Sequence, residues 1–440
     1  MSVVPDTLPP GPTLPPLVMG ALMAAGTTFV ERWHRRYGDR FTLRLGRFGT
    51  YVYLADPDDI KAVFHGDDTV FHAGEANAPF LGRVLGPTSV LVTDEDLHLR
   101  QRRSLAGPFH GASVARLVPR MEAVAAAEID TWPTGVPFEV MAHTKAITLE
   151  VILQTVIGVT DEGRLAELRA SLLRLVDIGL LDMAQFVFPS LSRRWPWKRF
   201  GEVKTRADRL LHREIAIARA DPDLAERPDV LAMMVRQGEM GDQEIRDQLA
   251  TLLLAGHETT ATGLAWAMER LVRNPSILAQ ATAAARNGDD AYLDAVVAET
   301  LRCRPVVPDV SRRLTADYRL GPYLLPAGTY VDPAIALVHR SPARYPEPER
   351  FDPGRFVGRR PDATVWLPFG GGSRRCLGAA FAATEMRVVL SQILRRVDVE
   401  PTSAPAEKAR VRHVTLAPSR GGTITVRARR AVPQPAGAAA

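Results

Sequence analysis

FGGGSRRCLG, residues Phe369 to Gly378, sets one of only two cysteines in 440 residues behind three glycines and two arginines, at the head of an apolar run that reads as a helix. Glycine lets backbone approach a flat or bulky object closely and tolerates positive φ. A cysteine at or just before a helix N-terminus meets unpaired N–H groups and the positive end of the helix dipole, and both favour the thiolate. Arg374 and Arg375 add positive potential. The loop is therefore expected to present a stabilised thiolate on a close-approach backbone. A phosphate-binding loop would need Lys and then Ser or Thr after the last glycine. A cysteine phosphatase would need arginine six positions beyond the cysteine, where Ala382 stands, and a redox pair would need a nearer partner than Cys303. Two thiols also exclude four-cysteine zinc and iron–sulfur sites. A haem iron, whose other ligands are not protein, remains open, and so does a structural cysteine beside a glycine turn.

Outward from this loop, the chain is 46% apolar and carries a formal net charge of +5, with basic and acidic residues intermixed. That pattern gives no nucleic-acid stripe. Two cysteines make no disulfide framework, which places the protein in a reducing compartment, read as the cytoplasm. Leu17 to Val30 is uncharged but too short to span a membrane, and no basic segment precedes it. It is expected to be an early helix packed on the body, without a transmembrane anchor. Residues 1–16, rich in proline, and 431–440 read as disordered tails around one domain, 17–430.

Phe41 to Asp56 alternates around two glycines and reads as a hairpin. Helical periodicity dominates from Pro57 to about Pro305, including Ile147–Gly158, Glu202–Ala220 and Gln243–Arg273. Leu314–Pro333 is strand-and-turn sequence, Arg344–Phe356 is proline-punctuated coil, and Ile424–Arg429 is a last strand. The fold class is mainly α with a small β portion.

Phe369, Gly372, Cys376 and Gly378 match F-x-x-G-x-x-x-C-x-G, the haem-binding signature of the cytochrome P-450 family. From LPPGP near the start to the last strand, the chain resembles that family, most closely its soluble actinobacterial members. The resemblance implies a fold that holds haem b between an oxygen-activating helix and the cysteine loop, with Cys376 as the iron ligand.

Three other motifs bear on this reading. LLLAGHETT, Leu252 to Thr260, taken alone is an apolar helix interrupted by a glycine, an acid and two threonines; a zinc-protease reading fails because position 261 is Ala261. It resembles the family's A/G-G-x-D/E-T-T. Carried over, Ala255 and Gly256 make room for dioxygen, Thr259 hydrogen-bonds it and Glu258 relays protons. Glu299 and Arg302, spaced i,i+3, would alone be a surface ion pair. In the family E-x-x-R is buried and joined by a basic residue from the later coil, which here points to Arg350 in Pro348-Glu349-Arg350-Phe351. Haem propionates need cationic donors, arginine best of all. The resemblance gives His98 and Arg102 from H-x-x-x-R, Arg312 with Arg313 as its neighbour in register, and Arg374. Arg375 is left facing the surface, where a reductase partner would dock.

The implied activity is a monooxygenase that inserts one oxygen atom from O2 into a lipophilic small molecule. Its electrons would come from a ferredoxin and an NAD(P)H-dependent ferredoxin reductase, and the protein would be a monomer. Substrate contacts are expected near Phe71–Val90, Leu252–Ala255, Val306–Val310 and Val414–Ala417. Phe186 to Phe200 reads as a solvated loop, a lid over the access channel, or a weak membrane-surface contact. An H2O2-using peroxygenase and a non-catalytic haem-binding sensor are the alternatives.

Overall fold

The run carrying LLLAGHETT is the spine of the molecule. In the computed structural model, which describes residues 8–25, 28–109, 111–176, 190, 195 and 197–430, it is a single 31-residue helix, Asp242–Val272. Asp242 and Glu244 in the first turn and Arg270 in the last complement its dipole. Most of the helix is buried, and its buried charges, among them Arg246, Asp247, Glu258 and Glu269, are ion-paired. The helices Val140–Ile152, Lys198–Ala220, Asp290–Cys303 and Ala379–Arg396 pack against it. Val140–Ile157 is long and apolar enough to cross a membrane, but 67% of it is buried inside the protein, as befits a core helix.

The β portion lies to one side. Its main sheet has the order β1-β2-β8-β5-β3, formed by Arg40–Arg44, Thr50–Leu54, Tyr330–Pro333, Arg312–Leu314 and Phe71–His72. β1 and β2 are the expected hairpin, and β2 runs parallel to β8. Small sheets pair β6 (Tyr318–Leu320) with β7 (Tyr323–Leu325), β10 (Ala409–Arg412) with β11 (Thr415–Pro418), and β4 (Pro137–Glu139) with β12 (Thr423–Arg429) and β9 (Val397–Val399).

Of the expected early helix Leu17–Val30, the described residues lie in α1 (Pro16–Ala25) and α2 (Thr28–Tyr37). The proline-rich stretch is not a loose tail from Leu8 onward. Thr42 of β1 donates its N–H to Pro10 O at 3.0 Å and its hydroxyl to Pro9 O at 2.6 Å. Gly11 allows this approach, since a Cβ there would sit 1.9 Å from Thr42 O. Residues 431–440, and Phe186–Pro196 apart from Ser190 and Trp195, lie outside the described residues.

Candidate active site

The cysteine loop is folded by its glycines. Gly370 and Gly372 have φ of +65° and +63°. A Cβ on Gly372 would lie 1.6 Å from the carbonyl oxygen of Phe64, and one on Gly371 would lie 2.4 Å from the Phe64 ring. Phe64 ends α3 (Pro57–Phe64), so the loop is pressed against a helix end where no other residue fits. Cys376 N–H donates to Phe369 O at 2.8 Å and closes the turn, and the helix Ala379–Arg396 begins directly after Gly378.

Cys376 carries accessible surface. Burial of its thiol nevertheless outweighs the Gly378 N–H and the charges of Arg375 and Arg102, and pushes its pKa up. The expectation of a thiolate stabilised by the loop alone is thus corrected. The protein's positive groups do not compensate desolvation, so ionisation of this thiol calls for a cation placed on the sulfur.

The central helix offers one open face. Leu252, Ala255, Gly256 and Thr259 share it at i, i+3, i+4 and i+7 and carry accessible surface, which elsewhere in the helix is confined to Leu254 and the first turn. Thr259 Oγ1 donates back to Ala255 O at 2.5 Å, the bond expected of a helical threonine. Gly256 serves the neighbouring helix as well. A Cβ there would sit 2.9 Å from Ile152 Cδ1, so the glycine makes room for close packing of Val140–Ile152. Glu258 is buried and paired with Lys145 Nζ at 3.3 Å, Arg412 Nε at 3.3 Å and His413 Nδ1 at 2.8 Å.

Four basic groups gather beside the cysteine loop. His98 and Arg102 come from α5 (Glu95–Ala106), Arg312 from β5 and Arg374 from the loop itself. Burial, then the charges of Arg374 and Arg102, lower His98 to about 3, so its ring is neutral. Burial and Arg374 lower Arg312 to about 10. Burial likewise lowers Arg102 and Arg374. Arg374 is held by Asp94 Oδ1 at 2.5 Å and Thr93 O at 2.8 Å, and Arg102 donates to Arg375 O at 2.6 Å. The register of β5 separates the two adjacent arginines: Arg312 is buried in this cluster, while Arg313 is exposed and paired with Glu75 at 2.6 Å.

The donor set is therefore one soft sulfur, an open apolar helix face and several half-buried guanidiniums that depress one another and call for anions. Haem, whose iron takes a soft sulfur donor and whose two carboxylates take cationic partners, fits that set. The sequence profile of the family described as Cytochrome P450 matches residues 9–424. The chain belongs to the cytochrome P450 family. It is 51% identical over 437 residues to the protein named cytochrome P450 135B1 of Mycobacterium tuberculosis, covering 97% of this chain and 92% of that one. It is 40% identical over 425 residues to cytochrome P450 135A1 of the same organism, covering 95% and 94%. A solved structure titled "Retinoic acid bound cyanobacterial CYP120A1" shares the fold, with a TM-score of 0.79 at 21% identity over 95% of this chain and 99% of that one. As a cytochrome P450 the protein is a haem b-binding monooxygenase, an oxidoreductase.

The E-x-x-R pair of this P450 is buried, not at the surface. Arg302 meets Glu299 through two bonds of 2.7 and 2.8 Å, and both side chains are inaccessible. Arg302 also donates to His339 O and Pro348 O, each at 2.9 Å. The third basic member is corrected from Arg350 to Arg355. Arg355 Nε lies 3.5 Å from Glu299 Oε1, while the Arg350 side chain is exposed and pairs with Glu347. Arg350 contributes only its carbonyl, 3.2 Å from Arg302 Nη2. The short 3-10 turn Pro353–Arg355 swings the later arginine back under the helix. Sequence reasoning also missed Asp94 as the holder of Arg374, and Lys145, Arg412 and His413 around Glu258. No local pattern marks them, because they come from segments more than 100 residues away in sequence.

Proposed function

We propose that this P450 inserts one atom of dioxygen into a lipophilic small molecule, with electrons from a separate ferredoxin and NAD(P)H-dependent ferredoxin reductase. The observation that carries the reading is the accessible stripe Leu252–Ala255–Gly256–Thr259 on a largely buried helix, together with an accessible Cys376 in the glycine loop. Haem bound here would supply the redox chemistry on dioxygen, and Cys376 Sγ would hold its iron. His98, Arg102, Arg312 and Arg374 hold the propionates. Phe369, Gly372 and Gly378 shape the loop that carries the sulfur. Ala255 and Gly256 keep the helix wall low. Thr259 Oγ1, its hydrogen directed to Ala255 O, accepts a hydrogen bond from the cleft, and Glu258 passes protons toward it; a positioned proton donor is worth about 10²–10⁴-fold. Half-buried Leu252, Val307 and Val310 with exposed Val414 supply apolar surface for substrate.

The test is the spectrum of the reduced, haem-loaded protein under carbon monoxide, for the wild type and Cys376→Ala. A Soret band at the red-shifted thiolate position that disappears in the variant supports the ligand assignment. A thiolate-type band that survives in Cys376→Ala overturns it. Turnover of a fatty-acid or steroid probe that needs ferredoxin, reductase and NAD(P)H supports the monooxygenase reading. Equal turnover with hydrogen peroxide alone favours a peroxygenase, and haem binding without turnover favours a sensor.

A further inference from the structure

His72 ends the short strand β3, and three carboxylates surround its ring. Glu75 of α4 (Ala73–Leu85) lies 3.2 Å from Nδ1, Glu95 at the head of α5 lies 3.0 Å from Nε2, and Asp94 just ahead of α5 lies 3.7 Å from Nδ1. Only 10% of the His72 side chain is exposed. Asp94 is fixed from three sides: it accepts Gly74 N–H at 2.7 Å, Glu75 N–H at 2.8 Å and the Arg374 guanidinium at 2.5 Å. A Cβ at Gly74 would lie 2.6 Å from Asp94 Oδ2, so glycine is what admits the carboxylate here. Glu95 holds a φ of +52°, a left-handed backbone that is costly for a residue with a side chain and concentrates at functional sites.

An ionised carboxylate accepts hydrogen bonds and gives none, so both nitrogens of His72 have to donate, and the imidazolium is the form with hydrogen on both. The surrounding charges agree. Arg313, opposite His72 in the β3–β5 ladder, pairs with Glu75, and Arg374 pairs with Asp94. Burial would raise the Glu75 carboxyl, but the hydrogen bonds and charges of His72 and Arg313 hold it below the usual range. Arg312 of β5 is buried in the basic cluster, and Asp68, on the loop before β3, accepts the Ser373 hydroxyl at 2.6 Å. Two arginines thus meet three carboxylates, and His72 is the third cation. A neutral ring donates to one carboxylate only and leaves the group one negative charge in excess.

We propose that His72, as the imidazolium between Glu75, Asp94 and Glu95, is a positioning residue for the haem propionates. It neutralises Glu95 and part of the charge on Asp94, and so leaves more of the Arg374 charge for a propionate. An arginine matched by Asp94 alone attracts a further anion weakly, and a second cation on that carboxylate restores the attraction. The same ring ties down the first turn of α5, which carries His98 and Arg102 three and seven residues after Glu95, on the same face. The assignment rests on the reading of Arg374 as a propionate donor.

The experiment reads haem transfer from the ferric, haem-loaded protein to excess apomyoglobin, at about pH 6 and about pH 8.5. His72→Gln is expected to release haem about threefold or more faster than the wild type at the lower pH, and the ratio is expected to fall toward one at the higher, where an imidazole gives up its extra proton. A ratio above one that is the same at both pH values would reduce His72 to a packing residue and overturn the proposal. NMR of protein labelled with 15N-histidine gives a readout independent of haem release, with the His72 signals identified by their movement in Glu95→Gln, a change at a half-exposed side chain. At about pH 6 both His72 nitrogens are expected to resonate as N–H, and one bare nitrogen would overturn the proposal. Faster haem release in Arg374→Gln with wild-type release in His72→Gln strikes this assignment alone. Wild-type release in both variants strikes the propionate reading itself.

Discussion

Replacing Arg355 and Arg350 separately by alanine tests which arginine braces the cysteine loop through Glu299. Arg355 Nη2 donates to Pro346 O at 2.7 Å and Glu347 O at 3.0 Å, and its Nε is 3.5 Å from the fully buried Glu299 carboxylate. Two hydrogen bonds to carbonyls are worth about 0.5–1.5 kcal/mol each. Loss of one of two cations beside a buried carboxylate adds to this. The sum stays below the ~3–5 kcal/mol of a broken buried pair, because Arg302 still holds both oxygens. Arg355→Ala should therefore cost about 2–3 kcal/mol. The Arg350 side chain is 62% exposed and its partner Glu347 72% exposed, and the carbonyl that Arg302 uses survives the substitution. Arg350→Ala should stay within about 0.5 kcal/mol. An unfolding entropy of roughly 2.1 cal/mol/K per residue gives about 0.9 kcal/mol/K for 440 residues, so Arg355→Ala should lower Tm by about 2–3 °C and Arg350→Ala by less than about 0.5 °C. The assay is thermal unfolding of the haem-loaded protein by far-UV circular dichroism, with haem loss followed at the Soret band. Equal shifts for the two variants, or a larger one for Arg350→Ala, would refute the reasoning.

Two further outcomes are expected. Arg312→Ala should lower the haem-to-protein absorbance ratio and speed haem transfer to apomyoglobin, while Arg313→Ala, which removes only an exposed pair with Glu75, should leave both unchanged. Burial lowers His339 to about 3 from an ordinary 6.5, so the unfolded chain binds its proton first. The stability this neutral ring contributes is complete above pH 6.5 and is lost as pH falls toward 3, by about 1.4 kcal/mol per pH unit. Its Nε2 accepts from Leu367 N–H at 2.8 Å, a role the amide oxygen of glutamine can take. Urea unfolding at pH 7.5 and 5.5 should then show a loss smaller by about 1.4 kcal/mol in His339→Gln than in the wild type.

Sequence by itself determined the fold class and the family, and it pointed to Cys376 as the proposed sulfur donor. Each of those rests on local rules: glycines at Gly370 and Gly372 where φ is positive, a cysteine just ahead of a helix, a long apolar run, an alternating hairpin. It also placed Arg312 within one residue, and the strand register then separated it from Arg313, because successive side chains of β5 point to opposite faces. Tertiary structure alone decided the charge partners and the protonation of the site. Arg355 displaces Arg350 because a short turn carries it back beneath Glu299. Asp94 holds Arg374 across 280 residues, and His413 reaches Glu258 across 155. The cysteine loop looked electropositive enough to ionise its thiol, yet burial reverses the sign. Desolvation depends on everything packed around a group, and a sequence motif records only its neighbours along the chain.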